Sequence, residues 1–182
     1  TLHRSRSKVT LRAAAAAASP EGTVRLVREE IQIETELPSR LSEANCGVYL
    51  LVMEITKPVS LPIPAIGSPT AAPGWYVYVG SARQHLQQRV SRHMRKKKAR
   101  HWHIDYLTQE ADVIKPFPIR TFADLECRLS EDLAALAEYS IAGFGSSDCS
   151  CPSHLHYFST PPLHNREFLN MLFAYRHVHF IT

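Results

Sequence analysis

Two apolar stretches decide the fold: CGVYLLVMEIT at residues 46–56 and WYVYVG at residues 75–80. Both are rich in β-branched and aromatic residues and contain no proline, so each predicts a buried strand. Residues 57–73, which lie between them, contain five of the chain's twelve prolines together with Gly67. That composition predicts a loop. Two consecutive strands joined by a loop predict an antiparallel hairpin with an enlarged tip.

The sequence after this hairpin turns to helical periodicity. Within residues 84–98, Leu86, Val90 and Met94 recur at four-residue intervals, which predicts a helix with one apolar stripe. Residues 101–107 predict a helix start in which Asp105 pairs with the basic residues before it. The other predicted elements are a helix at 23–37, a strand at 112–120, a helix at 122–136, a strand at 155–159 and a helix at 165–176.

These elements predict an α/β protein of the α+β type: a small, mostly antiparallel sheet flanked by helices. We expect the domain to span residues 46–158. Residues 1–45 would form an N-terminal extension, basic and disordered at its start, and residues 159–182 a helical C-terminal extension.

Composition excludes several classes of protein. A chain of 182 residues with 45% hydrophobic and 21% charged residues is typical of a globular protein and not of a disordered or collagen-like one. No apolar run approaches the roughly 20 residues that span a bilayer, so no membrane partner is expected. Four cysteines are too few for a disulfide scaffold. We expect an intracellular protein of the cytoplasm or nucleoid, or of an organelle if residues 1–20 are a transit peptide.

The net charge of +4 is unevenly distributed along the chain. Between residues 81 and 104 there are eight basic residues and no acidic one: Arg83, Arg89, Arg92, Arg95, Lys96, Lys97, Lys98 and Arg100. Such a block is either a solvated helix face or the binding surface for a polyanion.

Three features together point to catalysis. The first strand contains GVY at residues 47–49, the second ends in YVG at 78–80, and the next helix carries Arg89 and His93 on one face. The combination resembles the GIY-YIG endonuclease superfamily. The resemblance is greatest to its Uri-type branch, through YVYVGSA (76–82), RVSRHMRKKK (89–98), HWHIDYL (101–107), ECRL (126–129) and GFGSSDCSCPSHLHYF (143–158).

The resemblance implies hydrolysis of DNA phosphodiester bonds with one divalent cation, Mg²⁺ or Mn²⁺. It implies that Tyr49 takes the proton of the attacking water, that His93 accepts it in turn, and that Tyr78 positions the water or the phosphate. Arg89 would contact the scissile phosphate, and Glu126 would hold the metal. A tyrosine is a poor base at neutral pH, so we expect the nearby cations to ease its ionisation. We expect His93 to titrate near neutrality.

The other basic residues would contact DNA: Arg83, Arg92, Arg95, Lys96, Lys97, Lys98 and Arg100. Many members of the superfamily also have an asparagine after the glutamate helix. None can be placed here, and Asp148 is the candidate for comparable space.

A cysteine and histidine cluster follows the glycine-rich segment. Cys149, Cys151 and His154, together with Cys127, could bind zinc, since soft ligands suit this ion. They could equally be small buried residues that pack under the loop.

The sequence therefore predicts a metal-dependent DNA endonuclease. Two alternatives remain open at this stage. One is a nucleic-acid-binding module that kept the fold and lost catalysis, and the other is a zinc-stabilised interaction domain. The sequence gives no indication of oligomeric state.

Overall fold

The computed structural model describes residues 44–177. The helix predicted at residues 23–37 and the basic segment at residues 1–20 lie outside the described residues.

The described residues form a five-stranded antiparallel sheet, a two-stranded ribbon and four α-helices, which confirms the predicted α+β class. The strands are β1 (Gly47–Ile55), β2 (Val59–Ser60), β3 (Thr70–Ala71), β4 (Gly74–Ala82), β5 (Val113–Arg120), β6 (Tyr139–Ser140) and β7 (Leu155–Phe158). The helices are α1 (Leu86–His93), α2 (His103–Glu110), α3 (Glu126–Ala134) and α4 (Arg166–His177). The sheet order is β5-β1-β4-β7-β6, and β2 pairs with β3 in the ribbon.

The predicted hairpin is confirmed as the centre of the sheet. β1 and β4 pair antiparallel along their whole length, from Gly47 opposite Ala82 to Ile55 opposite Gly74. The predicted loop between them contains the β2–β3 ribbon and a short 3-10 helix at Pro64–Ile66.

Both faces of the sheet are covered. On one face of β1, Tyr49 and Leu51 pack with α1, α2 and the ribbon, and on the other Val48 and Leu50 pack with α3 and α4. A strand buried on both faces has no solvent-exposed face, so its sequence does not alternate between apolar and polar residues. This explains why residues 46–56 are an almost unbroken apolar run.

Helix α1 is shorter than predicted and turns a different face to the core. It ends at His93, and Met94, which was expected in the apolar stripe, is 39% exposed while His93 is 1% exposed. In a helix with about 3.6 residues per turn, residues seven positions apart lie on nearly the same side of the axis, whereas residues eight positions apart do not. The buried stripe is therefore Leu86, Val90 and His93.

Helix α3 also begins later than predicted. Residues 122–125 form a turn in which the Ala123 N–H donates to Thr121 Oγ1, and Leu125 has a non-helical backbone. Glu126 is therefore the first residue of α3.

Within residues 44–177, no helix is long and apolar enough to cross a membrane.

The close packing of Tyr49 on Gly80 gives a test of the central register. A Cβ at position 80 would lie 2.5 Å from both Cζ and the hydroxyl oxygen of Tyr49. We expect Gly80→Ala to lower the free energy of unfolding by about 1–3 kcal/mol, measured by urea denaturation. In a Tyr49→Leu background the same change should cost much less. An equal cost in both backgrounds would show that the phenol does not pack there.

Candidate functional site

A cavity of about 300 Å³ opens beside the β1–β4 pair. It is lined by the five residues expected to catalyse or to hold the metal: Tyr49, Tyr78, Arg89, His93 and Glu126. These residues come from β1, β4, α1 and α3, so the fold brings together side chains that are far apart in the sequence.

Tyr49 is held in the protonated form at the base of this cavity. Its side chain is 2% exposed, and its hydroxyl lies 3.0 Å from Nε2 of His93. Burial raises the pKa of Tyr49 above its ordinary value, and the opposing effect of the Arg89 guanidinium does not reverse this. Arg89 acts in the expected direction and lowers the pKa of Tyr49, but burial has the larger effect, so the phenol stays protonated.

His93 is a buried neutral base rather than a residue that titrates near neutrality. Burial and the nearby Lys98 ammonium lower the pKa of His93 to about 4. A neutral imidazole can accept the Tyr49 hydroxyl hydrogen at Nε2, which leaves the ring proton on Nδ1. That nitrogen lies 3.7 Å from Oδ1 of Asp105.

Asp105 is a fully buried carboxylate beneath this pair. It accepts two hydrogen bonds from the Arg92 guanidinium, at 2.7 and 3.0 Å, and two more from the backbone N–H groups of His101 and Trp102. Although burial acts to raise its pKa, these bonds lower the pKa of Asp105 to about 2. The expected pairing with the basic block is confirmed, and the charge of Asp105 ties α1 to the start of α2.

Trp102 is a residue of this cavity that the sequence reasoning missed as functional. The guanidinium carbons of Arg89 and Arg92 lie 4.8 and 4.5 Å from the centre of its ring. Such stacking restrains the guanidinium of Arg89 while its N–H donors stay available to an anion. The signal in the sequence was an aromatic residue two positions after Arg100, the last residue of the basic series.

Glu126 holds its carboxylate at the rim of the same cavity. Its Oε2 accepts a hydrogen bond from the Ser81 hydroxyl, and its Oε1 lies 3.4 Å from Nδ1 of His154. Burial acts to raise its pKa, but the contacts with His154 and Ser81 outweigh burial and lower the pKa of Glu126. The carboxylate is therefore ionised at neutral pH.

A second cavity of about 700 Å³ adjoins the first. The two cavities share Ser81, Glu126 and Asp148 as lining residues. Asp148 therefore lines the same cavities as Glu126, and its equivalence to the missing asparagine stays a prediction. Glu126 and Asp148 lie between the cavity that Tyr49 lines, called the tyrosine cavity below, and the cysteine and histidine cluster.

The cysteine and histidine cluster can hold a metal ion. The sulfur atoms of Cys127, Cys149 and Cys151 and a ring nitrogen of His154 all lie within 4.8 Å of one another. Cys127 is exposed, the other two cysteines are half-buried and His154 is buried, so packing under the loop stays an alternative for part of the cluster. Among residues 44–177 this is the one group of three or more such ligands, and Glu126 is not part of it.

Five of the seven basic residues expected to contact DNA are exposed: Arg83, Arg95, Lys96, Lys97 and Arg100. Arg92 and Lys98 instead turn inward. The Lys98 ammonium, with its side chain 5% exposed, donates to the His93 carbonyl at 2.9 Å and to Thr108 Oγ1 at 2.7 Å. Because α1 ends at His93, the chain turns back and Lys98 caps the free carbonyls of the helix.

Lys97 and Lys98 therefore have different roles, and their effects on the free energy of unfolding should differ. We expect Lys98→Ala to lower the free energy of unfolding by about 1–3 kcal/mol, because it removes hydrogen bonds to buried acceptors and a cation near Asp105. Lys97→Ala, its exposed neighbour, should change stability by less than about 0.5 kcal/mol. Equal effects in chemical denaturation would contradict the inward position of Lys98.

The buried neutral His93 predicts an acid-sensitive fold. The unfolded chain takes up a proton at a pKa of about 6.5, whereas the folded pKa is about 4. Stability should therefore fall as the pH drops through this window. His93→Gln should lose about 2 kcal/mol less than the parent between pH 7 and about 5, measured by urea denaturation. Parallel pH profiles of the two proteins would show that His93 titrates normally.

Comparisons with known proteins give one family. Searches of curated proteins and of solved structures found no match. A family model described as "Domain of unknown function DUF123" matches residues 48–176, which include most of β1, the cavity residues and most of α4. The chain belongs to this DUF123 family.

Proposed function

We propose that this chain is a divalent-metal-dependent endonuclease that hydrolyses DNA phosphodiester bonds, on a fold of the GIY-YIG type. The observation that carries the proposal is the 3.0 Å contact between the Tyr49 hydroxyl and Nε2 of His93. This pair faces a cavity that Arg89 and Glu126 also line. The four groups together supply a proton path, an anion-binding group and a hard metal ligand.

In this proposal the Tyr49–His93 pair activates the attacking water. A protonated phenol cannot take a proton from water unless its own proton leaves at the same time. Neutral His93 provides the acceptor, and Asp105, 3.7 Å from its Nδ1, stabilises the imidazolium that results. One proton thus moves from water to the Tyr49 oxygen while the hydroxyl proton of Tyr49 moves to Nε2 of His93. No tyrosinate needs to exist in the resting protein.

Arg89 would bind the scissile phosphate. Its guanidinium is restrained over the ring of Trp102 and can donate hydrogen bonds to two oxygens of one phosphate. Negative charge grows on those oxygens as the water adds, so the donors bind the transition state more strongly than the substrate. Tyr78, beside Tyr49 with ring centroids 6.3 Å apart, lines the same cavity and would position the water or the phosphate.

Glu126 and Asp148 fit Mg²⁺ or Mn²⁺ by ligand type. Both are hard oxygen donors on the wall of one cavity, and Glu126 is ionised and held in place by Ser81. When bound, the cation would neutralise charge on the phosphate and on the leaving oxygen. For the cysteine-rich cluster, three sulfurs and one imidazole suit zinc rather than Mg²⁺.

DNA is the substrate that the surface charge favours. Arg83 lines the larger cavity, and Arg95 and Lys97 are exposed beyond the end of α1. A row of exposed cations displaces counterions condensed on the DNA, so affinity should fall steeply as salt rises.

Substitution of Glu126 tests the proposed chemistry. Labelled single-stranded, duplex and flapped DNA are incubated with the dialysed protein, with and without added Mg²⁺. We expect cleavage by the parent only with Mg²⁺ and a loss of about 100-fold or more in Glu126→Gln, with DNA binding kept. Glu167→Gln makes the same charge change at an exposed position of α4 and should cleave like the parent. If no substrate is cut by the parent, or if Glu126→Gln cuts as well as the parent, the nuclease proposal fails.

A further inference from the structure

We propose that Cys127, Cys149, Cys151 and His154 bind one zinc ion. Its role is to hold in position Glu126 and Asp148, the two carboxylates that line the tyrosine cavity and are called the cleft carboxylates here. The purpose assigned to these carboxylates rests on the proposed nuclease function. The zinc site and its contact with Glu126 do not, and they can be tested without any cleavage.

The four ligand atoms lie close enough together to bind one ion. Their largest separation is 4.8 Å, whereas zinc bonds of about 2.0–2.3 Å place ligand atoms roughly 3.5–3.8 Å apart. A contraction of about 1 Å therefore brings them onto one ion. Three thiolates and one imidazole leave no open position for a substrate, which is typical of a structural zinc site.

The orientation of His154 connects this site to the cleft. Its side chain is 2% exposed, and its Nε2 lies 3.5 Å from the sulfur of Cys149. Its other nitrogen, Nδ1, is buried without a hydrogen-bond partner and lies 3.4 Å from Oε1 of Glu126. Zinc on Nε2 would place the ring proton on Nδ1, which would then donate to Glu126. A zinc-bound histidine usually donates its second N–H to a carboxylate in this way.

The order of residues along the chain supports the same link. Each cleft carboxylate stands immediately before a cysteine of the cluster, as Glu126-Cys127 and Asp148-Cys149. One ion would thus join the first turn of α3 to the loop that carries Asp148. It would also join both to His154, the residue before β7. Ser130 of α3 already donates to the Ser153 carbonyl at 2.8 Å, and the ion would add a restraint nearer to Glu126 and Asp148.

Metal content tests the site itself. Protein purified under reducing conditions without added metal is analysed by mass spectrometry for zinc, and Co²⁺ is titrated into metal-free protein. We expect one zinc per chain and the Co²⁺ absorption of a tetrahedral sulfur-rich site. Cys151→Ser should lose both, whereas Cys46→Ser, at the cysteine outside the cluster, should keep both. A parent with no zinc and no such spectrum, or with a disulfide within the cluster, would overturn the proposal.

Two further variants test the positioning of Glu126. If His154 donates to Glu126, Glu126→Gln should weaken zinc binding about 10–100-fold in chelator competition, while Glu167→Gln should not. Conversely, His154→Cys should keep zinc but raise the Mg²⁺ concentration needed for half-maximal cleavage about 10–100-fold. Unchanged zinc affinity in Glu126→Gln would overturn the coupling. A parent that binds zinc, loses affinity in Glu126→Gln and cuts no DNA would support the zinc link while the nuclease function fails.

Discussion

The packing of the Tyr49 ring on Gly80 across the β1–β4 pair is the contact on which the rest of the structure depends. It holds because Gly80, opposite Tyr49 in the register, has no Cβ in the space that the phenol occupies. This lets an aromatic ring lie deep in the fold with its hydroxyl at the cavity and within reach of His93. A shift of the register by one residue would turn Tyr49 toward α3 and α4 and dismantle the cavity.

A second constraint comes from two buried imidazoles that each face a carboxylate. Nδ1 of His93 points toward Asp105, and Nδ1 of His154 points toward Glu126, and both nitrogens lack a standard hydrogen bond. Each histidine therefore has Nδ1 on the side of a carboxylate and Nε2 on the other side, where the His93 nitrogen contacts the Tyr49 hydroxyl and the His154 nitrogen lies near Cys149. In the two proposals Nε2 would accept a proton in His93 and bind zinc in His154. The basic block is divided in a similar way, since Lys98 faces inward to stabilise the helix end while Lys97 stays exposed.

The central strands can be predicted from the sequence because their signals are local: an almost unbroken apolar run such as residues 46–56 is typical of a buried strand. The cavity residues are far apart in the sequence, and the resemblance carried by the GVY and YVG motifs is what pointed to them. The helix ends are harder, because they involve tertiary contacts: at the end of α1, Lys98 folds back and donates to the His93 carbonyl. Cys127, Cys149, Cys151 and His154 were named together as candidate zinc ligands from the sequence, and the structure brings their ligand atoms within 4.8 Å of one another. That proximity itself depends on where α3 begins relative to β7. The depressed pKa of His93 was missed because burial, not composition, sets it.

Glu126 is the residue in which the two proposals meet, with the tyrosine cavity on one side and the cysteine cluster on the other. Anomalous X-ray scattering from crystals soaked in Mn²⁺, collected at the zinc and manganese edges, tests this most directly. We expect a zinc peak among Cys127, Cys149, Cys151 and His154, and a separate manganese peak against the Glu126 carboxylate. A structure with no zinc at the cluster and manganese bound away from Glu126 would contradict both assignments.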